Sequence, residues 1–462
     1  MARVVKSAVR VLEVFELFDR LQREASVELG QKLNNVSWKS LSEDAQRKLL
    51  LCLLANLSVA VASRPALRLP RPAAGVGHLL LDGGQATSAR DAAFHNAALM
   101  HARTQDDFHP VGNLHIATVV RPALLAEAER RAVSGEAFLD ALAVGYCAAT
   151  GLSRQFSPLT TPRGLRSTCL YSGMAAAAAV AQLRGQDALG LANSLGLASQ
   201  LNFGTTQCWH DGSDEYQLHV ANAASQALLC AELTEGAVVA GEHTLDGPSG
   251  FYPALTGVTP RYLDIAADFE PNAAIMETML KRYPVSGICQ PVVRLSERLA
   301  EQLEGRMVQR IVIEMNGFEM NYPGTLNAGP VFKSFSDRLM SARFCAGSVL
   351  EAGRFDFNAF LKPASPTLSR LVSVTEVRVG ADLETLSCRI DITVQGGASV
   401  RGELRDGGKD LAINWDTIDE WSLDLWKAGG RTADALARAR NAVLALPANG
   451  FDCLRETLLL QG

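Results

Sequence analysis

Residues 173–183 read GMAAAAAVAQL, a run whose alanines give a small-residue surface that lets neighbouring helices approach closely. A helix of that composition belongs in the core of a bundle. Around it, apolar residues recur at helical spacing over Ala89–Ala102, Pro122–Ala149, Asp187–Leu201 and Leu218–Glu235. Further upstream, SEDAQRKLLLCLLANLSVAVAS (42–63) reads as a capped helix, with Ser42 as N-cap and acidic residues in the first turn, before a Pro-rich loop from Pro65 to Pro72. After about residue 270 the period shortens: RMVQRIVIEMNGFEM (306–320), SVTEVRVGAD (373–382), LSCRIDITVQG (386–396) and SVRGELRDG (399–407) alternate apolar and polar residues as half-buried strands do. Helical patterns lie between those strands at Phe335–Leu350 and Asp356–Phe360, and return at Thr432–Leu444 and Cys453–Leu460.

Segregated helices and strands argue against a doubly wound sheet. The expected fold is mainly α: a large all-helical domain built from both chain ends, plus a smaller α+β lid domain. The expected boundaries are 1–27 for an N-terminal extension helix, 28–270 for the first part of the helical domain, 271–410 for the lid and 411–462 for the helical return. With 462 residues, 48% hydrophobic and 20% charged, the chain has ample core material. A net charge of -5 without clustered Lys and Arg argues against a nucleic-acid surface. The nine cysteines are scattered singly, with no Cys-x-x-Cys pair, and read as reduced, mostly buried thiols. Charges inside the apolar periodicity of the N-terminus (Lys6, Arg10, Glu13, Glu16) argue against a signal peptide or a membrane span, so a cytoplasmic location is the expectation.

Chemistry concentrates at HARTQDDFHPVGNLH (101–115), which holds three of the eight histidines and two adjacent aspartates. A histidine titrates near neutrality, and a carboxylate beside it can fix its tautomer and raise its basicity. His95 and His101 fall on the face of a helix, where packing is the expected role; His210, in CWHDGS, is expected to be a loop histidine or to enter the same cavity.

Taken in order, AAFHNAALMHARTQDDFH (92–109), HIATVVRPALLAEAE (115–129), SGEAFLDALAVGYCAATGL (134–152), LANSLGLASQ (191–200), DGSDEYQLHVANAA (211–224), SGFYPAL (249–255) and LKRYPVSG (280–287) resemble the MmgE/PrpD family. That resemblance implies a helical domain with a lid, a homodimer, no metal and no organic cofactor, and acid/base work on small carboxylic acids. It carries over unevenly. The family's Asp-Asp pair falls on Asp106 and Asp107 and its following histidine on His115, while an aspartate two positions earlier becomes Thr104 and a threonine after the pair becomes Phe108. A family histidine aligns with Arg166, a lysine with Tyr216, and a histidine after the Lys-x-Tyr-Pro motif with Gln290; Lys281, Tyr283, Pro284 and His219 remain.

The roles that follow are His115 as main acid/base, with Asp106 beside it, Asp107 orienting it or sharing its proton, and His109 as second acid/base. Arg166 and Lys281 would hold an anionic substrate, Arg166 through its planar fork. Thr104, Tyr216, Gln290 and His210 complete the expected substrate-binding set. The alternatives are a biosynthetic cyclase or shaping enzyme, a metal-dependent enzyme using Asp106, Asp107 and His109, and a non-catalytic relative. A second likeness covers the start of the chain alone: VVKSAVRVLEVFELFDRLQREASV (4–27) resembles the opening helix of winged-helix regulators of the isocitrate-lyase-repressor family. Without a recognition helix after it, DNA binding is not expected.

Overall fold

The computed structural model describes residues 28–329 and 332–459; the amphipathic stretch Val5–Leu21 lies outside the described residues. The helical body is built from α1 (Glu43–Ala62), α2 (Ala89–His101), α3 (Ala117–Ala128), α4 (Gly135–Ser153), α5 (Gly173–Leu183), α6 (Ala188–Ser199) and α7 (Glu215–Glu235). The alanine run forms α5, whose residues from Gly173 to Ala181 are all buried, packed against α3, α4, α6 and α7. Small side chains carry that packing elsewhere too. A Cβ on Gly145 of α4 would sit 2.3 Å from Val120 Cγ1 of α3, so these two helices meet at glycine.

Ser42 caps α1 as expected, its side chain accepting from the Ala45 N–H. At 20 residues α1 is long and apolar enough to cross a membrane, and 78% of its apolar window is buried inside the protein, as a core helix requires. The pattern over Pro122–Ala149 resolves into two helices rather than one. α3 ends at Ala128, and Ser134 starts α4 afresh by accepting from the Ala137 N–H. A short antiparallel pair, β1 (Ala74–Leu79) with β2 (Gln85–Ala86), lies in the segment between α1 and α2 and has no clear signal in its Gly-rich sequence.

The α+β part carries a four-stranded sheet of β3 (Val308–Met315), β4 (Thr375–Val379), β5 (Cys388–Val394) and β6 (Ser399–Leu404), in the order β4-β3-β5-β6. β3 runs parallel to β4 and antiparallel to β5, and β5 antiparallel to β6. Strict alternation buries Cys388, Ile390, Ile392 and Val394 on one face of β5. Against the sheet packs α8 (Gln290–Leu303), whose Leu295, Leu299 and Leu303 are buried. The parallel β3–β4 connection contains α9 (Phe335–Met340) and α10 (Ala342–Ala352).

The chain then rejoins the helical body through α11 (Ile418–Ala428), α12 (Ala433–Ala445) and α13 (Phe451–Leu459). Trp426 of α11 is fully buried and donates from Nε1 to Ser58 Oγ of α1 at 2.9 Å. A Cβ on Gly429 would sit 2.5 Å from the Val61 carbonyl, so α11 ends flush against α1. α11 escaped the sequence reading because its apolar stripe is narrow: Ile418, Ser422, Leu425 and Trp426 are its buried residues, amid four acids and bases. Phe451 stacks on Phe138 of α4 with ring centroids 5.1 Å apart.

Candidate active site

Between α2 and α3 the chain runs through a tightly folded loop whose backbone is held from several directions. Phe108 and Met279 exchange a pair of backbone hydrogen bonds at 2.9 and 2.8 Å, and the His109 N–H donates to the Leu114 carbonyl at 2.8 Å. The loop sends its two adjacent aspartates to opposite sides. Asp106 faces inward between two histidines: both its oxygens lie 3.0 Å from His101 Nδ1, and Oδ2 lies 3.2 Å from His115 Nδ1. Burial works against its charge, but the imidazoles of His101 and His115 hold its carboxyl well below the usual range.

His115 Nδ1 also lies 2.9 Å from the Asp107 backbone carbonyl. Two acceptors at Nδ1 place the proton there, which leaves Nε2 as a bare lone pair. Among the described residues Nε2 has no hydrogen-bond partner. The backbone of His115 is gripped as well: its N–H donates to Thr168 Oγ1 at 3.2 Å, and its carbonyl accepts from Ser172 Oγ at 2.9 Å. Thr168 and Ser172 open and close a single π-helical turn, a form frequent at functional sites. On the far side, His101 Nε2 accepts from Arg166 Nη2 at 2.5 Å, which fixes His101 as the neutral tautomer protonated at Nδ1. Burial pushes His101 down to about 3 despite its aspartate.

Around His115 opens a cleft, partly enclosed and partly open to solvent, where the helical body meets the α+β part. Its lining comes from the 101–115 loop, from Trp209, from the 281–288 segment, and from Phe318, Glu319, Tyr322, Leu339, Met340, Thr385 and Leu386. Lys281 enters it 1% exposed, and its Nζ, 5.9 Å from the centroid of the Phe108 ring, has no hydrogen-bond partner among the described residues. Burial lowers Lys281 to about 8, while Asp106 and Asp107 act to keep it charged. A buried ammonium with no hydrogen bond is suited to holding an anionic group.

The sequence profile of the MmgE/PrpD N-terminal domain matches residues 27–262, half of the chain. The chain belongs to the MmgE/PrpD family. Among curated proteins it is similar to the cis-aconitate decarboxylase-like protein oryM of Aspergillus oryzae, at 31% identity over 183 residues. That match takes in 37% of this chain and 38% of the relative's length.

In this MmgE/PrpD member the expected site residues separate into two groups. His115, Thr104 and Lys281 line the cleft, and Asp106 stands fully buried behind His115. Asp107 does not: its carboxylate turns into the helical body, where Tyr146 Oη, Asn56 Nδ2 (3.2 Å) and the Ala117 N–H (3.1 Å) donate to it, so only its backbone carbonyl orients His115. His109 is fully buried, its Nδ1 accepting from the Gly112 N–H and its Nε2 3.1 Å from Glu277, away from the cleft. Arg166 spends its fork inside the protein, on His101, on the Tyr216 carbonyl at 2.6 Å and on His219 Nδ1 at 3.3 Å, over the Trp209 ring. It braces His101 instead of clamping a ligand.

Tyr216 donates its hydroxyl to the Ala102 carbonyl and accepts from Gln217, which leaves it no free proton to offer. Gln290 staples the 283–286 turn, accepting from the Tyr283 N–H and donating to the Tyr283 and Val285 carbonyls. His210 is exposed on the short helix Gln207–Asp211, outside the cleft, and His95 pairs with Asp82 at 3.0 Å.

The residue the sequence reading missed is Glu319. It lines the cleft at 3% exposure; Oε1 accepts from the Leu386 N–H at 2.7 Å and Oε2 has no partner. Burial pushes its carboxyl up to about 7, the Leu386 N–H partly opposing. In the sequence Glu319 sits at the end of an apparent strand; the strand stops at Met315, and Asn316 caps a short helix, Gly317–Met320, that carries Glu319 inward.

His101, Asp106 and His115 bring ligand-type atoms within 4.8 Å of one another. They do not fit a divalent cation. Both imidazole Nδ1 protons are donated into the cluster, the aspartate oxygens are already used, and the charges next to the cluster are the cations Arg166 and Lys281.

Thr104 occupies the left-handed region at φ 49, with its buried hydroxyl unpartnered at the cleft wall. For a β-branched residue that conformation costs about 1–2 kcal/mol. Thr104→Gly removes the clash, and its unfolding free energy in urea is expected to equal or exceed that of the parent by up to about 1 kcal/mol. A clear loss of stability would show that the threonine conformation is unstrained.

Proposed function

We propose that this protein is a cofactor-independent acid/base enzyme acting on an organic acid. His115 Nε2 removes a proton from carbon next to a carbonyl or carboxylate, and Lys281 holds the substrate's anionic group. Loss of a β-hydroxyl as water then gives dehydration and return of the proton gives isomerisation or epimerisation, whereas in a decarboxylation the protonated imidazole would instead donate the proton that takes the place of departing CO2. One observation carries the reading: a histidine whose Nδ1 is held by two acceptors and a buried ammonium without a hydrogen bond share the same cleft. Family membership and the decarboxylase-like relative support the same class of chemistry. The relay behind His115 supports it further, since the Asp106 carboxylate stabilises the imidazolium that forms as the proton arrives.

The experiment is to incubate the protein in deuterated water with cis-aconitate, 2-methylcitrate, iminodisuccinate or a medium-chain acid and follow solvent exchange by NMR. Exchange is expected at carbon beside an acid group with at least one of them. Protonation of His115 would occupy the lone pair, so the rate falls on the acid side of its pKa. Burial, with Lys281 adding to it, moves that pKa below the usual histidine value of about 6.5, so exchange should persist to lower pH than an ordinary histidine base allows. No exchange with any acid at any pH would sink the reading. A cytoplasmic homodimer is part of the same proposal, and light scattering of the purified protein tests the assembly.

A further inference from the structure

The charge and texture of the cleft restrict its ligand further than the family does. Among the described residues lining it, Lys281 is the single cation; Arg166 stands behind His101, wholly engaged. Most of the remaining wall is apolar, from Phe108, Leu114, Trp209, Ile288, Leu339 and Met340. A tricarboxylate placed here would set one carboxylate on Lys281 and leave the others to neutral groups only, such as Thr104, Asn113 and Ser286, with no second cation to offset their desolvation.

Glu319 adds a second constraint. Glu319 lines the same space with its Oε2 unpartnered, and its other oxygen is fixed by Leu386, a non-glycine residue held in the left-handed region at φ 58. A strained residue holding a buried carboxyl in a cavity wall marks the 385–386 turn as shaped for the site. Above its raised pKa of about 7, Glu319 is ionised and repels a second carboxylate placed near it, whereas a neutral chain meets no like charge.

We propose that the cleft takes a monocarboxylic acid with an apolar body, its carboxylate on Lys281, and that Glu319 selects against a second carboxylate. This rests on the acid/base reading of the same site. Within it, His115 works on carbon adjacent to the anchored carboxylate, while the apolar wall carries the chain and excludes water.

The test is isothermal titration of the full-length protein at about pH 7.5, between the values of Glu319 (about 7) and Lys281 (about 8), with octanoate, with octanedioate of the same chain length, and with cis-aconitate. Octanoate is expected to bind at least about tenfold more tightly than either polyacid. Lys281→Gln should weaken octanoate by about tenfold or more, and Glu319→Gln, which replaces the carboxyl by a neutral amide donor, should narrow the gap between octanoate and octanedioate. Circular dichroism melting confirms that each variant is folded. Equal or tighter binding of cis-aconitate or octanedioate by the parent protein overturns the proposal. So does octanoate binding that Lys281→Gln leaves unchanged, or a selectivity that Glu319→Gln leaves intact. Octanoate binding with no deuterium exchange on any acid would overturn the acid/base reading and leave the ligand class standing, and exchange on cis-aconitate without octanoate binding would do the reverse.

Discussion

Replacing His115 by Gln is expected to lower solvent exchange and turnover by about 10²- to 10⁴-fold, the range that a positioned general base supplies. The fold should be unaffected. The backbone of His115 is held by Thr168 and Ser172, not by its ring, and a glutamine amide can still donate to the Asp107 carbonyl or to Asp106. The loss should therefore appear in the catalytic rate while the thermal unfolding midpoint stays within a degree or two of the parent. Asp106→Asn tests the relay from the other side. An amide in place of the carboxylate removes the negative charge that stabilises the imidazolium, while the Asp107 carbonyl still holds the His115 tautomer, so a slower exchange with an unchanged tautomer is expected. Full activity in His115→Gln would remove the base from the mechanism.

Asp107→Ala is expected to act in the opposite way, destabilising the protein by about 3–5 kcal/mol with little change in the specific activity of the folded fraction. Its carboxylate accepts from Tyr146, Asn56 and the Ala117 N–H, and all of these residues are buried. Truncation leaves those donors unsatisfied, each costing about 1–3 kcal/mol. Such a total is exceptional for one substitution and belongs to broken buried networks. The group that touches His115 is the Asp107 carbonyl, which alanine keeps. Urea denaturation reads the stability and single-substrate kinetics the activity; a variant as stable as the parent but inactive would return Asp107 to the catalytic machinery.

Two aspartates adjacent in sequence thus acquire unrelated duties. The motif alone treats them as a pair because both are carboxylates beside histidines. The loop separates them, since Asp106 is followed by a residue whose N–H is bound by Asn56 Oδ1 of α1, and that anchoring turns the Asp107 side chain into the bundle. Arg166 shows the same limit. Its composition suits a carboxylate, but His101 and the Tyr216 carbonyl reach it first. His101, assigned to packing, proves to be the brace between Arg166 and Asp106. Glu319 gave no signal, because what makes it a titratable cavity residue is the Leu386 N–H, 67 positions away in the chain.

What the sequence determined by itself is the layout of elements: helices where apolar residues recur every three to four positions, strands where they alternate, and a cluster of histidine and aspartate on the loop after α2. Those readings succeed because burial of one face is a local periodic property. Where each polar side chain points, which nitrogen of His115 is bare, and which cation is left without a partner were decided by the tertiary structure, because proton positions and free charges depend on desolvation and on partners brought together from distant parts of the chain.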